Sequence, residues 1–60
     1  MTYKEYNEVK VGGTCVIIST GEPGKVLAVN KGKCEIYLEA KRVGLGDVKK
    51  WYNYTELGKL

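Results

Sequence analysis

The chain has 60 residues, of which 43% are hydrophobic and 28% are charged, and its formal net charge is +3. A chain this short forms one small domain with little interior, and its ordinary composition argues against disorder. It has no apolar run of about 18 residues that could cross a bilayer, and residues 1–8 lack the apolar centre of a secretion signal. We therefore expect a cytoplasmic protein without membrane contact.

Enzymatic chemistry is not expected from these residues. The chain has no histidine, the usual proton carrier near neutral pH, and its seven acidic residues lack the spacing of a metal or acid–base site. Cys15 and Cys34 are too few for a structural zinc site. We expect both as reduced thiols in the core, with a disulfide between neighbouring strands as the alternative. The sequence thus predicts no enzyme, no metal, no cofactor and no small-molecule substrate.

Residues 1–8 are polar and carry scattered tyrosines. The spacing of Tyr3 and Tyr6 would suit a helical turn, but a flexible or partly ordered arm is the stronger expectation. Residues 9–60 are then the folded domain. Its first strand is predicted at Thr14–Ser19, because β-branched side chains favour extended backbone.

Turn signals divide the rest of the domain into short strands. Pro23 and Gly24 predict a turn over Thr20–Gly24, in which Gly24 takes the positive φ of a type II turn. The predicted segments after it are strand Lys25–Asn30, a reversal over Asn30–Lys33 with Asn30 or Gly32 left-handed, strand Cys34–Glu39, a mobile loop over Ala40–Gly46, strand Asp47–Asn53, a helical turn at Tyr54–Leu57, and a last strand at Gly58–Leu60.

The alternation of apolar and polar residues along these strands predicts the core. In Cys34–Glu39, for example, Ile36 and Leu38 should face the interior with Cys34, while Tyr37 faces solvent. The full predicted core is Cys15, Ile17, Val26, Ala28, Val29, Ile36, Leu38, Val48 and Leu57.

Two segments resemble a known family. Gly21 and the run Gly24 to Val29, followed by a lysine-rich turn and Cys34–Leu38, resemble the KOW motif of ribosomal and transcription-elongation proteins. The closing run Trp51–Leu57 is similar to the end of Src-homology-3-like barrels. The resemblance covers residues 9–60 and implies an all-β, small five-stranded barrel with a short helical turn before the last strand. Such barrels bind RNA, DNA or protein, so the resemblance alone does not choose among them.

Basic residues and one aromatic residue form the first candidate site. Clustered lysine and arginine side chains can follow a phosphate backbone, and an aromatic ring can stack on a base. The candidate nucleic-acid-binding residues are Lys31, Lys33, Tyr37, Lys41, Arg42, Lys49 and Lys50. Interleaved acidic residues, among them Glu35 and Glu39, would weaken such a positive surface, and scattered lysines also serve solubility alone.

Three aromatic residues form the second candidate site. Trp51, Tyr52 and Tyr54 lie within four positions of a strand, so at least one ring should be outside the core. Aromatic side chains supply much of the binding energy at protein interfaces. We therefore consider them candidate protein-interaction residues, although Trp51 could instead cap an open end of the barrel.

These residues predict a non-enzymatic binding module, a monomer or weak dimer. Its partner is expected to be nucleic acid or a nucleic-acid-handling machine, by analogy with small accessory proteins of bacteria and their phages. The alternative is a pure protein-interaction module, an inhibitor or adaptor of a larger protein, that uses the aromatic surface.

Overall fold

A computed structural model describes residues 1–42 and 46–59, with the side chains of all of these except residues 41, 42 and 47. Its elements in chain order are helix α1 (Tyr3–Asn7), strands β1 (Thr14–Ile17), β2 (Pro23–Asn30), β3 (Glu35–Arg42) and β4 (Gly46–Asn53), the 3-10 helix η1 (Tyr54–Glu56), and strand β5 (Leu57–Lys59).

The five strands form one antiparallel sheet in the order β4-β3-β2-β1-β5, which leaves β4 and β5 at the two edges. The predominantly β character, the number of strands and the short helical turn before the last strand confirm the predicted fold class at this level. Sequential strands pair as simple hairpins up to β4, and the chain then crosses by η1 to pair β5 with β1.

The hairpin between β3 and β4 is longer than predicted. Ala40, which was assigned to a mobile loop, lies in β3 opposite Val48 and is 1% exposed, and β3 continues to Arg42. Ala40 also pairs with Gly24 of β2, so it lies between two neighbouring strands and is buried. The strand therefore continues beyond Glu39, where it was predicted to end. The loop prediction is therefore wrong for Ala40–Arg42 and Gly46, and residues 43–45 lie outside the described part of the chain.

A β-bulge in β2 changes which residues face the core. Val26 is opposite Leu38, but Ala28 is opposite Tyr37, so one extra residue lies between the two pairs. The bulge interrupts the strict alternation from which the core was predicted. Ala28 consequently lies on the face opposite the core, and that prediction is wrong, while Val29 packs against the core as predicted.

The buried hydrophobic residues lie on one face of the sheet and under α1. They are Tyr6, Cys15, Ile17, Val26, Ile36, Leu38, Ala40, Tyr52 and Leu57. Six of the nine predicted core residues are among them, and Val48 is half-buried. Tyr6, Ala40 and Tyr52 were not predicted. In a domain this small each buried large side chain contributes about 1.5–3 kcal/mol, so the addition of Tyr6 and Tyr52 matters to stability.

The N-terminal segment, expected as a flexible or partly ordered arm, is a short helix packed on the sheet. Thr2 and Glu5 form a capping box, in which the Glu5 amide donates to Thr2 Oγ1 at 3.2 Å and the Thr2 amide donates to Glu5 Oε1 at 2.8 Å. Tyr6 is 0% exposed, and its hydroxyl donates to the Asn30 carbonyl at 3.0 Å. The ring of Tyr6 thus completes the core, which explains why this segment is ordered.

In two turns the residue with positive φ is not the one that was predicted. Gly24 has no positive φ and lies inside β2, where a Cβ would come within 2.5 Å of Leu38 Cγ. Glycine is needed there for close packing rather than for a turn, and the positive φ belongs to Gly21. In the next reversal the left-handed residue is Cys34, with φ 56°, rather than Asn30 or Gly32. Cys34 therefore precedes β3 and is only partly buried, and it and Cys15 are both free thiols.

Candidate binding face around Tyr37 and Trp51

The face of the sheet opposite the core is the candidate site, and we call it the outer face. Because successive side chains of a strand point to opposite faces, the burial of Ile36 and Leu38 puts Tyr37 on the outer face. The strand register then brings together one row of Ala28, Tyr37 and Trp51 and a second row of Lys25, Glu39 and Lys49.

Tyr37 and Trp51 form a cross-strand aromatic pair at the centre of the outer face. Their ring centroids are 5.0 Å apart, and the planes are tilted by 39°. Such a pair stabilises neighbouring strands by about 0.2–1 kcal/mol. Trp51 nevertheless keeps 41% of its surface exposed, so much of the indole is available for a partner.

The charges on the described part of the outer face are balanced. Lys49 Nζ lies 3.8 Å from Glu39 Oε2, and Lys25 lies opposite Glu39 on the other neighbouring strand. Glu35 occupies the same face two positions from Tyr37. Two lysines and two glutamates therefore surround the aromatic pair, and their formal charges cancel. The Lys49–Glu39 pair is exposed and contributes little to stability.

The predicted nucleic-acid-binding residues are distributed over different parts of the molecule. Tyr37 and Lys49 share the outer face, whereas Lys50 is on the core side of β4, with Nζ 5.4 Å from the centre of the Tyr52 ring. Lys31 lies over the Tyr6 ring at 4.7 Å. Lys33 is exposed in the turn before β3. Lys41 and Arg42 are the last two residues of β3, and their side chains lie outside the described part of the structure.

The three predicted protein-interaction residues are also separated. Trp51 is on the outer face, but Tyr52 is buried in the core at 7% exposure. Tyr54 is partly buried and stacks on Tyr6 with centroids 5.2 Å apart. Tyr52 is thus a core residue that presents no ring to a partner, and Trp51 alone of the three faces outward from the sheet.

A second aromatic group lies on the core side and closes the core beneath α1. Tyr3 contacts Tyr6 and Tyr54 at centroid distances of 6.0 and 5.9 Å, and Lys31 lies over Tyr6. Burial raises the pKa of the Tyr6 hydroxyl. Tyr6 therefore stays neutral around neutral pH, and the group acts as packing.

A cleft of about 230 Å³ separates α1 from β1. Its lining includes the apolar residues Val9 and Val26, the charged residues Glu8 and Lys10, and Cys15. Burial raises the pKa of the Cys15 thiol, which keeps it protonated at neutral pH. A protonated thiol is a poor nucleophile, so Cys15 is not an activated nucleophile in this cleft.

Lys25 and the contact between Tyr37 and Trp51 are the features of the outer face that the sequence did not predict. The sequence assigned Tyr37 to one candidate site and Trp51 to another. Only the register of β3 against β4 shows that the two rings touch. A usable signal was present in the alternation of Cys34–Glu39, which already predicted an outward Tyr37.

Comparison with protein-family models, curated proteins and solved structures gives no match for this chain. Among the described residues no helix is long and apolar enough to cross a membrane. The outer face, with the half-buried Tyr37 and the exposed Trp51, is the surface from which we infer a function.

Proposed function

We propose that this chain is a non-enzymatic protein-binding module that contacts its partner through the outer face around Tyr37 and Trp51. The observation that carries the proposal is an indole that remains 41% exposed while it packs on a neighbouring ring. Tyrosine and tryptophan bury a large area with few rotatable bonds, and they are enriched where binding energy concentrates. A preformed pair loses little conformational freedom on binding.

The charge pattern favours a protein over a nucleic acid as this partner. A phosphate backbone binds where cations outnumber anions, but Glu35 and Glu39 flank Tyr37 on the same strand. Lys49 is already close to Glu39. A polar rim of both signs around an aromatic centre is the usual arrangement of a protein–protein interface.

A nucleic-acid contact is the second candidate, and one observation favours it. Lys25 and Lys49 lie in the row next to Tyr37 and Trp51, so a single strand that stacks a base on Trp51 would have cations within reach of its phosphates. Lys33 is exposed in the turn before β3 and adds to the net charge of +3. The two candidates differ in how their affinity responds to salt.

We also propose that the sheet curls into a small, partly open Src-homology-3-like barrel whose β4 edge stays unpaired, with the KOW-like segment in β2 and β3. The bulge between Val26 and Ala28 supports this curvature, because bulges bend and twist a strand, and the 3-10 turn before β5 agrees with the resemblance. An experimental structure with a flat, open sheet would contradict this part of the proposal.

The experiment is a capture from lysate with the immobilised protein, with and without nuclease, at low and high salt. A protein partner should stay bound after nuclease treatment, and Trp51→Ala should reduce its recovery at least about tenfold. Ile18→Ala is the matched control, since it removes another exposed apolar side chain, 61% exposed, from a different part of the molecule. Recovery that depends on intact nucleic acid and falls steeply with salt would select the second candidate.

Equal recovery with wild type, Trp51→Ala and Tyr37→Ala would reject the outer face as the contact surface under either candidate. Both substitutions lie on the outer face, away from the buried residues, so circular dichroism should show an unchanged fold.

A further inference from the structure

The edge strand β4 has eight residues and, in the part of the chain that the structure describes, pairs only with β3. We propose that β4 is an acceptor strand: an extended acidic segment of the protein partner adds to the sheet, antiparallel to β4, beside Trp51. This inference rests on the proposed function and names the chemistry of the partner. The other edge strand, β5, has three residues and is much shorter, a common way in which edges are protected.

One hydrogen bond shows which backbone groups of β4 point away from β3. The Tyr54 amide donates to the Cys34 carbonyl at 3.1 Å, which continues the ladder between β3 and β4. In an antiparallel pair, residues whose N–H and C=O point to the neighbour alternate with residues whose groups point away. Lys50 and Tyr52 therefore bond to β3, while Lys49 and Trp51 present their N–H and C=O groups at the outer edge.

Asn53 provides an independent check on this assignment. By the same alternation its amide should point away from β3, and it donates to Glu56 Oε2 at 2.9 Å. The Glu56 side chain thus occupies the position that a further strand would take at the end of β4. The edge available for pairing therefore ends before Asn53 and has Lys49 and Trp51 within it.

The side chains along this edge define the partner segment. Trp51 and Lys49 point to the outer face, and Lys50 points to the core side. Side chains directly opposite each other on paired strands interact, and unlike charges stabilise the pair. An antiparallel segment that matches β4 therefore has an apolar residue opposite Trp51, followed by acidic residues opposite Lys50 and Lys49.

A second copy of the chain is a poorer occupant of the same edge. When β4 pairs with its own copy about a two-fold axis at Lys49 or Lys50, the two central residues of the strand, that lysine faces its own copy. Like charges directly opposite one another destabilise strand pairing. An acidic segment turns the same two lysines into favourable contacts.

The test uses an acetylated and amidated peptide of about nine residues, long enough to span β4. Its centre has tyrosine, glutamate and glutamate in this order, flanked by threonines, and fluorescence of Trp51 measures its binding. We expect it to bind about tenfold more tightly at low salt than the same peptide with lysines in place of the glutamates. The double variant Lys49→Glu with Lys50→Glu should reverse this preference.

Backbone pairing is tested by methylating single peptide amides. Methylation of the tyrosine amide, which faces the Trp51 carbonyl, should weaken binding by about tenfold or more. Methylation of the next amide, which points away from β4, is the matched control and should change affinity by less than about threefold.

Three results would overturn the inference. The acidic peptide could bind no more tightly than the lysine peptide, or the two methylated peptides could bind equally, or sedimentation could show a stable dimer that occupies the edge. If methylation has no effect while Trp51→Ala still reduces capture of a protein from lysate, the outer-face function stands and strand addition is wrong. If Trp51→Ala has no effect on that capture, the proposed function itself fails.

Discussion

The two aromatic groups of this protein contain similar side chains but differ in burial. Tyr6 and Tyr54 stack on the core side, and Tyr6 is fully buried. Tyr37 and Trp51 pack at nearly the same centroid distance on the outer face, yet Trp51 keeps 41% of its surface exposed. Residue type and ring contact therefore do not separate a buried structural cluster from a ring pair that stays accessible, whereas the face of the sheet does.

A charged group beside each ring pair strengthens this contrast. On the core side, Lys31 covers Tyr6 and approaches Asn7 Oδ1 at 3.4 Å, so the lysine helps to seal the ring from water. On the outer face, Lys49 turns to Glu39 and leaves Trp51 open. The core-side group should thus govern stability, and the outer group should govern binding.

The largest expected effect is the loss of stability in Tyr6→Ala. Removal of a fully buried ring leaves a cavity and costs about 3–5 kcal/mol, out of a total of about 3–9 kcal/mol for a domain of this size. The change also removes the hydrogen bond to the Asn30 carbonyl. Urea denaturation followed by circular dichroism should show a variant that is largely unfolded or close to it at room temperature.

Tyr3→Ala is the control for this prediction. Tyr3 touches the same cluster but is 57% exposed, so its loss should cost less than about 1 kcal/mol. Equal stability of Tyr6→Ala and wild type would mean that the N-terminal segment is not part of the core.

A second test probes the packing of β2 on β3 without changing an aromatic residue. In Gly24→Ala the new Cβ would lie 2.5 Å from Leu38 Cγ, so either the side chain or the strand must move. Overpacking of this kind costs about 1–3 kcal/mol, and the thermal midpoint should fall. In Gly32→Ala the nearest atom is Asn30 Oδ1 at 3.5 Å, an ordinary contact. If the thermal midpoint falls equally in Gly24→Ala and Gly32→Ala, the close approach to Leu38 is not the reason for glycine at position 24.

Parts of the fold follow from local sequence alone. The β-branched residues of β1 and the alternation around Ile36 and Leu38 predict strands and a core that the structure confirms, although β1 ends at Ile17 and not at the predicted Ser19. Helix α1 had a local signal as well, because Thr2 and Glu5 have the spacing of a capping box. The burial of Tyr6 could not be predicted in this way, since it depends on a carbonyl 24 residues away.

The candidate site depends on register, which local sequence does not specify. The bulge after Val26 moves Ala28 to the outer face, and nothing in the apolar run of β2 marks the extra residue. The contact between Tyr37 and Trp51 requires one particular alignment of β3 and β4. A shift by one residue would bring every side chain of β4 to the other face and put Tyr52 opposite Tyr37.

A smaller effect on stability is expected in Trp51→Ala, and this variant sharpens the comparison of the two faces. Its unfolding free energy should fall by less than about 1 kcal/mol, the value of a cross-strand pair, while partner recovery falls at least about tenfold. Tyr52→Ala, the next residue on β4, should instead lower the unfolding free energy by about 3–5 kcal/mol, because it removes a buried ring. A large stability loss in Trp51→Ala would instead indicate that the indole is part of the fold.

The smallest expected effect concerns the charge that caps α1. The Thr2 amide donates to the Glu5 carboxylate and lowers the pKa of Glu5 below its ordinary value. A group with a lowered pKa in the folded state stabilises the fold above its ordinary pKa and loses that contribution as the pH falls through the folded-state pKa. Wild type should therefore lose slightly more stability than Glu5→Gln in the acidic range where the Glu5 carboxylate is protonated. Titration of the Glu5 side-chain carbon by NMR measures the shift directly, and an unshifted midpoint would show that the exposed cap contributes no such pH dependence.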